Sequence, residues 1–217
     1  MSVVVGRQRS PAAQSGFTGQ REPILSTAVT PIPKRQIRAL YDEQTVTVYQ
    51  AYSPEIANAA TAGGRFSTGF DVNRMTWIKP SFLWMMYRSG WGTKPGQQHV
   101  LAIRIRREGL AWALANSALS SYERDIHTDA QQWKESLRAA PVRIQWDPER
   151  DLHLRPLAHR AIQIGLGGDA VRRYKDEWTV QIDDITSFCH EVHALVSAGD
   201  LAAAQARLPA ERPYPES

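Results

Sequence analysis

The residues best suited to chemistry lie together in one stretch, RMTWIKPSFLWMMYRSGW (74–91). It holds three of the chain's seven tryptophans, Trp77, Trp84 and Trp91, with Phe82, Tyr87, Met85 and Met86. Arg74, Lys79, Arg88 and Ser89 are interleaved with them. This mixture suits a flat, anionic ligand: a ring offers a face for stacking, and a cation meets phosphate. Lys79 precedes Pro80, which holds it extended and leaves its ammonium free for phosphate. Tyr87, Arg88 and Ser89 close a helix before Gly90 and are the stronger ligand candidates. Trp84, Met85 and Phe82 divide between ligand and core, because a seven-residue spacing returns a helix to nearly the same face.

A second candidate lies far along the chain. Glu177 stands where the helical DAVRRYKDE meets the strand-like WTVQIDDI (178–185). A carboxylate beside a tryptophan at a strand edge can be held rigidly and aimed into a cleft, for acid–base work or for binding a hydroxyl. Asp183 and Asp184 most simply cap the next helix. Other chemistries find little support. His190 and His193 sit one turn apart, but no matching Cys or His pair completes a metal set, and none is expected. No Gly-rich phosphate loop with Lys-Ser/Thr and no G-x-S-x-G occurs. Gly167-Gly168 reads as a tight turn.

The elements that must position these residues are short and mixed. QIRALY (36–41) and the β-branched TVTVYQAY (45–52) read as strands. Ser53-Pro54-Glu55 starts a helix that runs out at Gly63-Gly64. Pro80 or Ser81 opens the aromatic helix. HVLAIRIRR (99–107) is a strand, GLAWALANSAL (109–119) a short helix, and a further helix carries Trp133. VRIQW (142–146) is a strand that Asp147-Pro148 should break. AIQIGL (161–166) is an apolar run. Helices at 188–198 and 201–208 close the chain. Without βαβ rhythm the expected class is α+β: a single domain over 37–217, with a mixed or antiparallel sheet flanked by short helices.

Charge is uneven. Six basic residues against Glu22 give the first 40 residues a net +5, so the remaining 177 carry −1. Residues 1–36, rich in Pro, Ser, Thr and Gln, are expected to form a disordered or extended basic arm. No apolar run approaches the ~18 residues of a membrane span. MSVVVGRQRS lacks the order of a secretory signal. One cysteine, Cys189, fits a reducing cytoplasm.

Two blocks, IRALYDEQTVTVYQAYSPEIANAATAGGRF (37–66) and RMTWIKPSFLWMMYRSGW, resemble an uncharacterised, mostly bacterial domain-of-unknown-function family. AIQIGL, EWTVQIDDIT (177–186) and ERPYP (211–215) extend the resemblance to about residues 37–215. The layout is also similar to that of ADP-ribosyltransferases, which place a His or Arg on a first strand, a hydroxyl-aromatic element second and a catalytic Glu third. That likeness implies NAD as cofactor, with Tyr49 or Gln50 in the first place, Tyr87 and Ser89 in the second, and Glu177 in the third. No His or Arg stands on 45–52, so Arg38 of the neighbouring strand would substitute. Tyr87 or Trp77 would stack nicotinamide, while Arg38, Lys79 and Arg88 would hold pyrophosphate. The expected activity is transfer of ADP-ribose, with a nucleic acid or base as acceptor. The alternative is a nucleotide- or nucleic-acid-binding module without catalysis, with Arg104, Arg106, Arg107 and the arm on phosphates. A third reading puts the whole aromatic segment in the core.

Overall fold

The computed structural model describes Met1 and residues 32–215. Two sheets and their junction organise the domain. In the first, β2 (Thr45–Tyr52) pairs antiparallel with β4 (His99–Arg106) along its whole length, from Thr45 opposite Arg106 to Tyr52 opposite His99. β8 (Thr179–Asp184) pairs with the other side of β4. The Val, Thr, Ile and Tyr of these strands are the residue types that fit a pleated, half-buried surface. In the second sheet, β3 (Thr76–Ile78), β7 (Pro156–Leu166), β6 (Val142–Arg150) and β5 (Ser117–Leu119) follow in that order. β5 runs parallel to β6; the other pairs are antiparallel. A two-stranded ribbon of β1 (Arg38–Ala39) and β9 (Arg212–Pro213) ties the end of the described chain to its start.

The sheets meet at one point. Tyr49 of β2 pairs antiparallel with Lys79, just past β3, and the Tyr49 N–H donates to the Lys79 carbonyl at 2.7 Å. Gln50 spans the same seam: its Nε2 donates to Thr76 Oγ1 at 2.6 Å and to the Trp77 carbonyl at 3.2 Å, and its Oε1 accepts from the Tyr174 hydroxyl at 2.7 Å.

Seven α-helices among the described residues pack around the sheets. α1 (Pro54–Gly63) starts on Pro54 and ends at Gly64 in the left-handed conformation. α2 (Phe82–Ser89) follows the seam directly; the Ser81 hydroxyl accepts from the Trp84 N–H at 3.1 Å, and Gly90 (φ 60°) ends it. α3 (Arg107–Ala115), α4 (Ala130–Ala139) and α5 (Asp169–Arg173) follow, and α5 runs into a single π-helical turn, Tyr174–Trp178. α6 (Thr186–Ser197) and α7 (Leu201–Arg207) complete the set. Phe82, Met85 and Met86 of α2 pack with Tyr49, Val100, Cys189 and Val192 in one cluster, and the rest of the core lies between the sheets and α1, α3 and α5.

The α+β class and the mixed sheet stand as expected, while several boundaries differ. Residues Ser117–Leu119 leave the expected helix to pair with Val142–Ile144. The Asn116 side chain closes α3 by donating to the Trp112 carbonyl. β6 continues through Asp147-Pro148, because a register shift between Pro148 and Arg150 accommodates the missing N–H. QIRALY shrinks to the two-residue strand Arg38–Ala39 and a single bridge from Tyr41 to Val46. The domain takes in residues assigned to the arm: the Lys34 carbonyl accepts from Arg160 N–H, and Arg35 bridges Glu123 at 2.5 Å. Residues 2–31 of the arm lie outside the described residues. No helix among those described is long and apolar enough to cross a membrane.

Gly165 is opposite Trp77 in the β3–β7 pair, and its missing side chain lets the indole lie across the strand. A Cβ there would stand 2.9 Å from the Trp77 ring and from Met75 Sδ. Gly165→Ala is therefore expected to cost about 1–3 kcal/mol by overpacking, read as a lower urea midpoint with unchanged slope.

Candidate functional site

A cleft of about 750 Å³ opens beside the seam. That volume is within the range of small-molecule and cofactor sites. β2 contributes Gln50 and Tyr52; β3 and its exit contribute Trp77 and Lys79; α2 contributes Trp84 and Arg88. Arg74 and Asp71 stand on the rim, and Gln145 of β6 and Gln163 of β7 form another wall.

Lys79 is the most constrained group in the cleft. Only 6% of it is exposed. Its Nζ donates to the Trp77 carbonyl at 2.8 Å and lies 5.5 Å from the centre of the Trp84 ring. No other protein acceptor for it is found among the described residues, so two of its three N–H groups have no partner. Burial pushes the ammonium from 10.5 down to about 7; the Arg88 charge adds to the fall and the Asp147 charge opposes it. Trp84 is equally buried, and its indole N–H has no hydrogen-bond partner. Buried donors are nearly always satisfied, and an unpaired one costs about 1–3 kcal/mol. Both residues line the cleft, and an anionic oxygen reaching them there would supply the acceptor that each lacks.

The opposite chemistry lines the β6–β7 wall. Gln145 Nε2 donates to Asp147 Oδ1 at 2.9 Å and Gln163 Nε2 to Asp147 Oδ2 at 2.5 Å. Asp147 thus holds both amides.

Of the nine residues singled out from sequence, four line this cleft: Gln50, Trp77, Lys79 and Arg88. Tyr49 is buried behind them, edge-on to Phe82 at 5.7 Å. Tyr87 is 41% exposed and faces Arg150, whose guanidinium lies 3.6 Å from its ring centre. Ser89 is fully buried; it donates to the Met85 carbonyl and accepts from the Gly92 N–H, tying off α2. Arg38 lines a different cavity of about 480 Å³, with Ser81, Glu149, His159 and Glu211. There Glu211 accepts from the Phe82 N–H, and burial pushes its carboxyl up to about 8. Glu177 is outside the cleft. The π-helical turn directs Tyr174 and Trp178 into the core and leaves the Glu177 side chain 61% exposed, 3.8 Å from Arg173. The expected juxtaposition of Glu177 with the tryptophan-rich stretch is therefore not what the fold makes.

Sequence reasoning passed over Gln145, Asp147 and Gln163. A signal was present: Gln163 is a lone polar residue in the apolar AIQIGL, and Gln145 and Asp147 are two apart on one strand, hence on one face. Trp77 and Trp84 share no helical stripe, since Trp77 is on β3. Trp91 stacks on His193 at 5.0 Å.

The depressed Lys79 value has a direct consequence for stability. The unfolded chain holds this proton up to pH 10.5, the folded one only to about 7. Stability therefore rises as pH climbs from about 7 to 10.5, and the full penalty applies below 7. Lys79→Met is expected to stabilise the ligand-free protein by about 1–3 kcal/mol at pH 6.5 in urea unfolding, with the advantage shrinking towards pH 10. A variant destabilised equally at every pH would contradict this.

No curated protein matches the chain. A family described as Domain of unknown function (DUF4291) matches residues 36–214. The match takes in both sheets, the seam and every residue of the cleft, and on that basis the chain belongs to the DUF4291 family.

Proposed function

We propose that this chain binds a phosphorylated nucleotide in the cleft beside the seam. The observation that carries the reading is the pair of buried donors with unspent capacity, Lys79 Nζ and Trp84 Nε1. Phosphate oxygens on these two groups would satisfy the indole, neutralise the buried charge and extend to Arg88 on the rim. Trp77, packed against Gly165 and lining the cleft, supplies a ring for the base.

A second reading takes the bound nucleotide to be NAD and the chain to be an ADP-ribosyltransferase-like enzyme acting on a nucleic acid or base. One observation favours it. Thr45–Tyr52, the first strand of that layout, adjoins the chain at Lys79 across the seam, and Gln50, one of the two residues set in the first place, lines the cleft. In this reading the carboxylate role passes from Glu177 to Asp71, the acid among the described residues that lines the cleft. The setting we infer is a reducing compartment such as the cytoplasm, since Cys189 is a buried free thiol.

Calorimetric titration with pyrophosphate, ADP-ribose and NAD at pH 6.5 tests both readings. Binding is expected for all three, weakened about tenfold by Trp84→Phe and more by Lys79→Met. Affinity should fall as pH rises above about 7, where free Lys79 loses its proton, and binding near that pH should take up protons from the buffer. Absence of binding by any of the three would end the nucleotide reading. Nicotinamide release from NAD, lost in Asp71→Asn, would establish the second; bound but uncleaved NAD, with or without nucleic acid, would remove it.

A further inference from the structure

We propose that Gln145 and Gln163, oriented by Asp147, form a subsite for an –NH2 group carried on a planar ring: an exocyclic amine or a primary carboxamide. The inference rests on the nucleotide reading of the same cleft and names the feature by which the ligand is selected.

Three observations place the subsite. Gln145 and Gln163 are direct register partners on the antiparallel strands β6 and β7. Asp147, two residues beyond Gln145, shares its face of the sheet. Each carboxylate oxygen of Asp147 accepts from a different glutamine, at 2.9 and 2.5 Å. An ionised carboxylate only accepts hydrogen bonds, so both amide nitrogens must face it. Both carbonyl oxygens are then left, and neither has a protein donor among the described residues. Both side chains are half-buried and line the cleft.

An –NH2 group brings two donors to the two acceptors that remain. Side chains directly opposite across an antiparallel pair stand about 4.5–5.5 Å apart at Cβ. The two hydrogens of an –NH2 group diverge by roughly 120°, so acceptors at about 2.9 Å would lie roughly 5 Å apart. A ring carbonyl or carboxylate in the same place would set oxygen against oxygen. Lys79 and Trp84 serve acceptor atoms, the glutamine wall serves donors, and a ligand with phosphate at one end and an amino-bearing ring at the other matches both. Asp147 touches no ligand in this account; it is a positioning residue.

The test uses the full chain and two ligand pairs that differ at the amino group alone. AMP against IMP probes an adenine amine, and nicotinamide mononucleotide against nicotinate mononucleotide probes a carboxamide. Pyrophosphate is the control for the cationic end. The wild-type protein should prefer the amino member of at least one pair by about tenfold or more, and the pair that discriminates identifies the ring. Asp147→Asn frees the amides to turn and should reduce that preference to under about threefold; the preference is a ratio within each pair, so the loss of the Asp147 charge near Lys79 falls on both members alike. Gln163→Met, similar in size and without an acceptor, should do the same and serves if Asp147→Asn does not fold. Pyrophosphate binding without preference in either pair would overturn this inference and leave the nucleotide reading intact. A preference that survives both variants would also overturn it. Absence of pyrophosphate and nucleotide binding alike would overturn both readings.

Discussion

The architecture depends on a single backbone contact between two sheets. The Tyr49 N–H to Lys79 carbonyl bond joins β2 to the exit of β3, and Gln50 reinforces it from the side. Pro80 follows at once, and the chain turns into α2. The seam therefore fixes three things together: the edges of both sheets, the origin of α2 and the position of the Lys79 side chain. The Trp77 carbonyl and the Trp84 ring come to frame the same ammonium. Gln50 is itself held by Tyr174, which stands at the start of the π-helical turn, so the third strand of the first sheet is keyed to the seam as well.

This arrangement runs against stability in a way that core packing alone does not explain. A lysine with one hydrogen bond and a tryptophan N–H with none are both buried where an aliphatic residue would fit at lower cost. Such local cost is the pattern expected where a site is organised for a ligand that completes it. The β6–β7 wall shows the contrasting design. There the polar groups are bound to one another, and the carboxylate satisfies two amides at once. One wall is electrostatically incomplete and the other is preorganised.

Much of the scaffold was legible in the sequence. The β-branched run at Thr45–Tyr52, the Ser-Pro-Glu start of α1 and the Ser81 cap of α2 act through local chemistry, and local chemistry can be read from neighbours in the chain. The aromatic-basic segment did reach the cleft, through Trp77, Lys79, Trp84 and Arg88. What could not be read depended on tertiary pairing. Ser117–Leu119 became a strand because Val142–Ile144 offered it an edge. Pro148 stayed within β6 because a bulge absorbed it. Glu177 was misjudged for a related reason: a helix-to-strand junction does not say which way its side chains turn, and here one π-helical turn sent Trp178 inward and the acid outward. Tyr87 and Ser89 belong to the aromatic segment but face away from the cleft, since a helix of eight residues has more than one side.

An anionic ligand group received by the Lys79–Trp84 pair would give the buried indole N–H the acceptor it lacks. The indole N–H resonance of Trp84 reports on it directly, because that proton has no partner in the free protein. In a heteronuclear NMR titration with ADP-ribose, the Trp84 indole signal, assigned from its absence in a Trp84→Phe variant, is expected to move downfield and saturate with the ligand. Saturation with the Trp84 signal unmoved and shifts confined to another face of the protein would contradict it.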